Sequence, residues 1–278
     1  MSGRPNLVEF TPYNAAKEDN QGNITHHRID WQCNFIEDFY NRIQAGQSNE
    51  TQIILLSGAV GSSKSLAMEH ILCRFGLEYP GMKIGLGRLT MPSLKQTLLR
   101  NIIDHFPEEC IAKHDQVKGY LKLVNGTEYF SYSWSDKKYK KVRSEEFTVF
   151  AIEEATETDV PHAYSEILMR IRQRYKNNKA DFLAACQEGG RAKRPVKFLI
   201  MATNPDSPEH WVYEEIIANA GYVDGKPTGH GMDNISVYYS ITSDNPFLDD
   251  EYREVLENQL SPKEAERMVF GKWVDISE

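Results

Sequence analysis

The sequence predicts an α/β fold with a mostly parallel central sheet flanked by helices. Three apolar runs support this prediction: residues 52–56, 147–152 and 196–202. Runs of this length, rich in β-branched and aromatic residues, are typical of strands that are covered on both faces of a parallel sheet. Small or polar residues follow each run, and the carboxyl ends of parallel strands share the edge of the sheet where ligands bind.

The composition is that of a soluble globular protein with an acidic balance. Of 278 residues, 40% are hydrophobic and 26% are charged, and the formal net charge is −8. This charge argues against a general affinity for nucleic acid. We expect no membrane association, because neither an apolar signal segment nor a window of membrane-spanning length is found. The four cysteines lack metal-ligand spacing, so we expect free thiols in a cytosolic protein.

Positive charge is nevertheless concentrated in three short segments. They comprise Lys137, Lys138, Lys140, Lys141 and Arg143, then Arg170, Arg172, Arg174, Lys176 and Lys179, then Arg191, Lys193, Arg194 and Lys197. Basic patches on an acidic body are compatible with a surface that follows a phosphate backbone. Taken alone, each segment is more simply interpreted as a solvated loop face.

The chain opens with a polar stretch, residues 1–29, from which we expect an arm. Residues 30–40 then carry apolar side chains at helical spacing. Gln32 in this helix lies shortly before the central motif, a place from which a carboxamide can read the edge of an adenine through two hydrogen bonds. A surface glutamine without a ligand is the alternative interpretation.

A phosphate-binding loop is predicted between the first apolar run and the helix that follows it. Its sequence is Gly58-Ala59-Val60-Gly61-Ser62-Ser63-Lys64-Ser65. This is the Gly-x-x-x-x-Gly-Lys-Ser/Thr pattern with Ser63 in the place of the second glycine. Such loops bind phosphate through backbone N–H groups, which serine also has. Lys64 would contact the β- and γ-phosphates of a nucleotide, and Ser65 would ligate Mg²⁺. A small-residue turn before an ordinary helix is the alternative.

Strands and helices continue to alternate after this loop. The predicted elements are a strand at 83–88, a helix at 92–103 and two hairpin strands at 120–124 and 127–132. Helical periodicity in the second element continues toward Pro107. Asn125-Gly126 between two alternating apolar runs is a strong hairpin signal. We therefore expect an antiparallel ribbon inserted into a sheet that is otherwise parallel.

Two adjacent carboxylates, Glu153 and Glu154, follow the apolar run 147–152. They would lie at the ligand edge of the sheet, together with the phosphate-binding loop. One acid is needed to hold the Mg²⁺ shell, and a second acid beside it can orient and deprotonate an attacking water. We assign Glu153 to the metal and Glu154 to the water. A Glu-Glu pair that begins a surface helix is the alternative, which the preceding buried run disfavours.

The third apolar run, 196–202, ends in Thr203-Asn204-Pro205. Alone, this tripeptide indicates only a turn. After the two preceding motifs, it indicates a sensor in which Thr203 and Asn204 contact the γ-phosphate or the attacking water and report hydrolysis.

Six segments in order form a combination that is more specific than any one of them. They are residues 58–65, residues 152–157, Met169-Arg170-Ile171-Arg172, residues 202–205 with His210-Trp211, Asp244-Asn245-Pro246-Phe247-Leu248, and Phe270-Gly271-Lys272-Trp273-Val274. Between about Asp30 and Val274 the chain resembles the ATPase domain of the large terminases of tailed bacteriophages. Some members of that family are similar in having serine before the loop lysine and glutamate as the metal-side acid.

The resemblance implies a P-loop NTPase fold of the additional-strand, catalytic-glutamate type, with the sensor strand between the P-loop strand and the acid strand. The implied activity is hydrolysis of ATP with Mg²⁺, which drives double-stranded viral DNA into a procapsid. DNA would be held through its phosphates without base readout.

The resemblance also implies partners and a location. The partners are double-stranded DNA, the portal protein of the procapsid, the small terminase subunit and further copies of this chain in a ring, expected to be a pentamer. The isolated domain is expected to be a monomer. The implied location is the host cytoplasm, with transient docking on the portal and no place in the mature virion.

One departure from the family concerns catalysis. Many terminases carry an arginine inside the P-loop, where this chain has Val60. Without that cation, the charge of the transition state must be stabilised from elsewhere. Arg143 matches the place where related terminases carry an arginine finger that acts on a neighbouring subunit. The alternative is that Arg143 contacts the DNA backbone or belongs to an ordinary loop.

We expect three segments: an arm at 1–29, the ATPase core at 30–211, and a lid or linker subdomain at 212–278 with helices around 249–260 and 262–270. The nuclease domain that normally follows in the family is not expected here, and therefore no metal-dependent cleavage of DNA. The alternatives in other functional classes are a helicase, a kinase-like phosphotransferase, and a nucleotide-binding member with little activity.

Overall fold

A computed structural model provides the fold and describes residues 12–13, 15–45, 50–135, 142–159, 161–173, 197–223, 226–227 and 231–276. In chain order, the strands are β1 (Ala15–Glu18), β2 (Ile24–His27), β3 (Gln52–Gly58), β4 (Lys83–Arg88), β5 (Ile111–Asp115), β6 (Tyr120–Leu123), β7 (Glu128–Ser133), β8 (Val149–Glu153), β9 (Phe198–Thr203), β10 (Tyr222–Val223), β11 (Lys226–Pro227) and β12 (Ile235–Ser240).

Seven α-helices and several shorter turns connect these strands in the described part of the chain. The helices are α1 (Asp30–Ala45), α2 (Lys64–Glu78), α3 (Met91–Gln96), α4 (Leu98–His105), α5 (His162–Leu168), α6 (Asp250–Gln259) and α7 (Pro262–Met268). Short 3-10 turns cover Glu108–Cys110, Ala155–Glu157 and Thr242–Asp244, and a π-helical turn covers Tyr213–Ile217.

An eight-stranded sheet forms the centre of the fold, in the order β12-β3-β9-β8-β4-β7-β6-β5. The first six strands in this order are parallel to their neighbours. The last two pairings are antiparallel. The mostly parallel α/β fold predicted from the sequence is therefore confirmed, and so is the position of the sensor strand β9 between the P-loop strand β3 and the acid strand β8.

Alternate residues of the central strands pack into two separate apolar clusters, one on each face of the sheet. On one face, Ile54 and Leu56 join the cluster that contains Phe39 and Phe75 of helices α1 and α2. On the other face, Ile53 and Leu55 join a cluster that contains Trp211. Because both faces are covered, every residue of β3, β8 and β9 is buried.

The inserted hairpin is confirmed. Strands β6 and β7 pair in antiparallel register, with Asn125-Gly126 in the turn between them. Gly126 has φ +88°, which a left-handed turn position requires. β7 also lies parallel to β4, so the ribbon extends the parallel sheet.

One expectation about local structure is wrong, and one element was not predicted. The single helix expected at 92–103 is divided into α3 and α4 at Thr97, whose φ and ψ of −111° and −96° are not helical. The side chain of Thr97 hydrogen-bonds to Glu153, a tertiary contact that helical periodicity does not encode. The segment expected to be an arm contains the antiparallel hairpin β1–β2, and Ala15 of this hairpin packs into the core.

The proposed boundary after residue 211 does not coincide with the edge of the sheet. β12 lies within the segment 212–278, yet it pairs along its whole length with β3. The two helices expected in this segment are present as α6 and α7. The functional division into a core and a lid stays a prediction.

Ten of the basic residues singled out in the sequence lie outside the described residues: Lys137, Lys138, Lys140, Lys141, Arg174, Lys176, Lys179, Arg191, Lys193 and Arg194. Two described members, Arg143 and Arg172, form ion pairs with carboxylates. Among the helices that the structure describes, none has the length and apolarity needed to cross a bilayer.

Candidate active site

The P-loop, residues 58–65, connects the carboxyl end of β3 to the first turn of α2. Close packing requires the first glycine, because a Cβ on Gly58 would lie 1.9 Å from Ser240 Oγ. Gly61 has φ +74°, and a Cβ there would lie 2.8 Å from Leu248 Cδ1. Both glycines are thus required by the backbone path and by its neighbours.

Ser63 adopts the left-handed conformation that glycine would have at this position of the motif. Its φ and ψ are 67° and 26°, and it immediately precedes the first residue of α2. Its carbonyl oxygen accepts a hydrogen bond from Gln32 Nε2 at 3.3 Å. The serine therefore preserves the path of the loop, and a side chain from α1 contacts the same residue.

Gln32 is fully buried, so the alternative of a surface glutamine is wrong. Its Nε2 group is bound to the P-loop backbone, and its Oε1 atom has no partner among the described residues. The predicted contact of Gln32 with adenine stays a prediction. The contact that the structure adds is a direct link between α1 and the loop.

Lys64 is buried within the loop that it terminates. Its Nζ donates to Ala59 O at 2.7 Å, to Asn204 Oδ1 at 3.0 Å and to Ser62 Oγ at 3.4 Å. Burial lowers the pKa of Lys64 to about 8, and the negative charge of nearby Glu154 opposes this shift. The lysine thus lies between the P-loop, the sensor residue Asn204 and the second acid.

Glu153, the last residue of β8, is 4% exposed. Its Oε2 atom accepts hydrogen bonds from Thr97 Oγ1 at 2.5 Å and from Arg88 Nη1 at 3.2 Å. Burial raises the pKa of Glu153, whereas the Thr97 hydrogen bond and the charge of Arg88 lower it. On balance the pKa of Glu153 is raised, so the two contacts offset only part of the effect of burial.

Glu154 is the second residue of the acid turn, residues 153–158, and has left-handed φ and ψ of 49° and 58°. A non-glycine residue in this region costs about 1–3 kcal/mol and persists only where surrounding contacts impose it. Thr158 at the other end of the turn is held by two indoles: Trp134 Nε1 donates to Thr158 Oγ1 at 2.6 Å, and Trp211 Nε1 donates to Thr158 O at 2.5 Å. The strained backbone is therefore supported by the hydrophobic face beneath it.

The two sensor residues contact different parts of the site. Thr203 is fully buried, and its Oγ1 accepts the Thr156 N–H at 3.1 Å and lies 2.7 Å from Thr156 Oγ1. Asn204 accepts the hydrogen bond from Lys64 described above. The end of β9 consequently connects the P-loop lysine to the acid turn, and the role of Thr203 and Asn204 as a sensor stays a prediction.

Residues 240–274 pack against the P-loop. They run from the end of β12 to beyond α7 and are called the C-terminal segment. Val60 N donates to Met268 O at 2.8 Å, and Val60 O accepts from Thr242 Oγ1 at 2.9 Å. Asn245 Nδ2 donates to Gly61 O at 2.7 Å. This C-terminal segment therefore satisfies backbone groups of the loop that its own helix does not.

The chemistry of the donor set fits a nucleotide with Mg²⁺. Ser65 and Glu153 offer the hard oxygen atoms that Mg²⁺ prefers. This ion usually takes only one or two protein ligands, and water and phosphate complete its coordination shell. Among the described residues, no cluster of three or more histidine, cysteine or acidic side chains could hold a metal. The left-handed loop at the start of α2 suits phosphate oxygens.

Arg143 forms an ion pair with Glu166, which lies outside the P-loop, the acid turn and the end of β9. Its side chain is half exposed and forms a bidentate ion pair with Glu166 of α5, with Nε 3.0 Å from Oε2. This pair commits the guanidinium to α5. An arginine finger acting on its own P-loop is therefore not the arrangement in this structure.

Sequence reasoning missed several residues of the site. Arg88 ends β4 at the same edge where Glu153 ends β8, so the strand-end rule that identified the acid could also have identified the arginine. Thr97 and Asn245 have no comparable sequence signal, because their roles depend on contacts across 56 and 184 positions of the chain.

Comparisons with known proteins are consistent with this geometry. The large terminase from a thermophilic bacteriophage has a TM-score of 0.63 and 13% identity; the match covers 81% of this chain and 49% of that one. The same terminase in complex with ATP-gamma-S has a TM-score of 0.57 and 14% identity, with 81% and 48% covered. The chain thus spans about half the length of that terminase. At these identities, the likeness shows the fold alone.

A third structure covers a domain of similar size. The large terminase ATPase domain of Thermus phage P74-26 has a TM-score of 0.58 and 12% identity, and the match covers 82% of this chain and 90% of that one. No protein with a curated description matches the chain. A family model described as phage terminase large subunit matches residues 50–269, most of the chain. The chain therefore belongs to the phage terminase large subunit family.

Proposed function

We propose that this chain is the ATPase motor part of a phage DNA-packaging terminase, which hydrolyses ATP with Mg²⁺ to move double-stranded DNA into a procapsid. The observation that carries the proposal is the contact of Lys64 with Asn204, together with that of Thr203 with Thr156. The proposal is supported because these contacts bring residues 58–65, Thr203-Asn204 and the acid turn together at one edge of the sheet.

Each residue has a distinct role in the proposed reaction. Backbone N–H groups of the P-loop bind the phosphates, and Lys64 neutralises charge on the β- and γ-phosphates. Ser65 and Glu153 would hold Mg²⁺, which supplies electrostatic stabilisation of the phosphate oxygens. Glu154 orients the attacking water in line with the γ-phosphate and accepts its proton. Gln32 Oε1, which has no partner among the described residues, fits a contact with the exocyclic amine of adenine.

A neighbouring copy of the chain would complete the site. Val60 provides no positive charge where many family members have an arginine, and Arg143 is half exposed on the same molecule. We assign Arg143 to the active site of the adjacent subunit in a ring, expected to be pentameric, where it would exchange Glu166 for the γ-phosphate. The isolated domain would then be a monomer with slow turnover.

The partners follow from the same proposal. They are double-stranded DNA, the portal protein and the small terminase subunit, and the site of action is the host cytoplasm at the procapsid portal. Residues 1–29, 30–211 and 212–278 would act as arm, ATPase core and lid or linker. DNA binding through phosphates should weaken steeply as the salt concentration rises.

The central experiment measures phosphate release from ATP by the wild-type chain, by Lys64→Ala and by Glu154→Gln. We expect Lys64→Ala to lose nucleotide binding. Glu154→Gln should retain binding of a fluorescent ATP analogue while kcat falls by about 10²- to 10⁴-fold, because general-base catalysis contributes that much. If the wild type binds the ATP analogue but releases no phosphate from ATP, the result would support the alternative of a nucleotide-binding family member with little activity. Strand separation driven by ATP would support a helicase, and transfer of phosphate to an acceptor other than water would support a kinase-like enzyme.

Arg143→Ala tests the contribution of a second subunit. In dilute solution, we expect the ATPase rate of this variant to match that of the wild type. At high protein concentration, the specific activity of the wild type should rise, whereas that of the variant should not. Arg172→Ala is a control, because Arg172 is another exposed arginine paired to a carboxylate. An unchanged concentration dependence in Arg143→Ala would contradict the finger assignment.

A further inference from the structure

Arg88 binds two carboxylates of the acid turn. Its Nη1 donates to Glu153 Oε2 at 3.2 Å, whereas its Nε and Nη2 form a bidentate pair with Glu157 at 3.0 and 2.6 Å. The arginine side chain is 15% exposed and the Glu153 side chain is 6% exposed. The two carboxylates lie on either side of Glu154 in the chain.

The residue between these two anchors has a backbone that needs external support. Glu154 has φ +49°, a conformation that β8 and the following 3-10 turn do not provide by themselves. Thr203 holds Thr156 on the side of β9. On the side of β4, Arg88 is the residue that binds both Glu153 and Glu157.

We propose that Arg88 is a positioning residue, which clamps Glu153 and Glu157 and thereby sets the place of Glu154 relative to the γ-phosphate. The inference rests on the proposed ATP hydrolysis. In the described part of the chain, the hydrogen bonds of Arg88 go to Thr97, Glu153 and Glu157 and to no residue of the P-loop or the sensor, so it acts through the acid turn.

The geometry allows the clamp to remain closed when the nucleotide and metal bind. Both hydrogen bonds to Glu153 reach Oε2, and Oε1 can bind the metal or one of its waters without breaking either. Guanidinium is permanently charged and presents its donors in a rigid fork, so it can serve two carboxylates at once. A lysine ammonium group has the same charge but lacks this planar arrangement of donors.

Thr97 belongs to the same clamp. Its Oγ1 contacts Glu153 Oε2 at 2.5 Å and Arg88 Nη1 at 3.2 Å. The interruption between α3 and α4 falls at this residue, whose hydroxyl also lies 2.8 Å from Ser93 O. The Thr97 hydroxyl thus links the break between the two helices to Glu153 and Arg88.

The test compares Arg88→Gln, Arg88→Lys, Glu157→Gln and the double variant Arg88→Gln/Glu157→Gln. Residues that orient metal ligands typically contribute 10- to 100-fold to activity or metal affinity. We expect Arg88→Gln to lower kcat by about 10- to 100-fold with little change in KM for ATP, and to raise the Mg²⁺ concentration needed for half-maximal binding of a fluorescent ATP analogue. Arg88→Lys should recover only part of kcat, and the double variant should be no worse than Arg88→Gln, because the two residues act as one unit.

Amide hydrogen exchange of the segment 153–158, measured without nucleotide, gives a readout that is independent of turnover. It should be faster in Arg88→Gln than in the wild type and unchanged in Arg100→Gln, a control arginine that is 73% exposed and paired with Asp104. If Arg88→Gln fails to fold, Arg88→Lys and Glu157→Gln supply the same comparison.

The possible failures are distinguishable. No ATP hydrolysis by the wild type would contradict the proposed function. Wild-type hydrolysis that is lost in Lys64→Ala but retained in Arg88→Gln, with unchanged Mg²⁺ dependence and exchange, would overturn the positioning role alone. Additive effects of Arg88→Gln and Glu157→Gln on kcat would also overturn it.

Discussion

Two residues of the site have left-handed backbone dihedrals, a conformation that L-amino acids rarely adopt. Ser63 in the P-loop and Glu154 in the acid turn are the non-glycine residues with positive φ in the described part of the chain. Both follow buried strands at the same edge of the sheet. Strain of this kind concentrates where function dictates the backbone, and here it falls on the phosphate loop and on the acid assigned to the water.

The substitution Ser63→Gly should raise the free energy of unfolding by up to about 1 kcal/mol. Removing the side chain relieves a left-handed conformation that costs roughly 1–2 kcal/mol, whereas glycine loses about 0.5–1 kcal/mol in chain entropy. ATP affinity should be retained, since the loop binds phosphate through its backbone. Urea denaturation and titration with a fluorescent ATP analogue measure the two quantities.

The matched control is Ser62→Gly in the same loop. Ser62 Oγ donates to Ala59 O at 2.8 Å and lies 2.8 Å from Ser240 Oγ, and its φ is not positive. This variant should lose about 1–3 kcal/mol in the free energy of unfolding, because the substitution removes the acceptor of the buried Ser240 hydroxyl. Equal losses of stability in both variants would show that the conformation of Ser63 is not strained.

His70 on α2 should make the protein less stable in acid. Burial lowers the pKa of His70 to about 3, and the charges of Arg74 and His105 act in the same direction. The unfolded chain binds a proton near pH 6.5, so the contribution of His70 is complete above that pH and is lost as the pH falls from about 6.5 to about 3. The slope reaches about 1.4 kcal/mol per pH unit.

Chemical denaturation at pH 7 and pH 5 tests this expectation. The stability lost between pH 7 and pH 5 should be smaller in His70→Gln than in the wild type. In the control variant His114→Gln, which changes an exposed histidine, this loss should equal that of the wild type. The same acid dependence in His70→Gln and wild type would mean that His70 is not held neutral.

At the scale of secondary-structure elements, the end of β9 joins the phosphate loop to the acid turn. The substitution Thr203→Val keeps the shape of the buried side chain but removes the hydroxyl that binds Thr156. We expect a loss of about 1–3 kcal/mol in stability, because the Thr156 N–H is left without its acceptor. We also expect a lower kcat with a smaller change in KM for ATP, since the acid turn is displaced.

Thr148→Val is the matched control at the opposite end of the sheet. Thr148 is 1% exposed, and its hydroxyl donates to Gln173 Oε1 at 2.7 Å. Its removal should destabilise the protein to a similar extent while kcat stays at the wild-type value. If both variants lose kcat equally, the loss reflects general destabilisation and not a link through β9.

At the scale of the whole molecule, the C-terminal segment completes the P-loop from outside its own strand and helix. Arg267 of α7 pairs with Asp206 in the loop after the sensor, at 3.2 Å. Trp273 Nε1 donates to Ser57 Oγ of β3 at 2.9 Å. One segment therefore contacts the phosphate loop, the P-loop strand and the sensor loop, so its position and the geometry of the nucleotide site depend on each other.

Asn245→Ala tests this dependence. It removes the donor to Gly61 O, so ATP affinity should fall along with a stability loss of about 1–3 kcal/mol. Asn125→Ala is a close control: Asn125 Nδ2 donates to Gly76 O at 2.9 Å, and in both residues Oδ1 accepts from the N–H two positions later. Calorimetric titration with an ATP analogue should show weaker binding only in Asn245→Ala. Equal affinities in the two variants would contradict the role of the segment.

Much of the fold could be predicted because its signals are local. The apolar runs of β3, β8 and β9, the Asn125-Gly126 turn and the P-loop motif each lie within a few residues of chain. The division of the helix at Thr97 could not be predicted, because the apolar periodicity is unbroken there and the contact of Thr97 with Glu153 joins residues 56 positions apart. The hairpin β1–β2 was also missed, since its strands are short and mostly exposed.

The α/β class, the order of the P-loop, acid and sensor motifs, and the resemblance to the terminase family follow from the sequence alone, because each depends on residues adjacent in the chain. It took the folded chain to reveal that Gln32 binds the P-loop backbone, that Arg88 clamps the acid turn and that the C-terminal segment encloses the loop. These contacts join residues between 31 and 208 positions apart. Strand order and register bring them together, and no local pattern encodes that pairing.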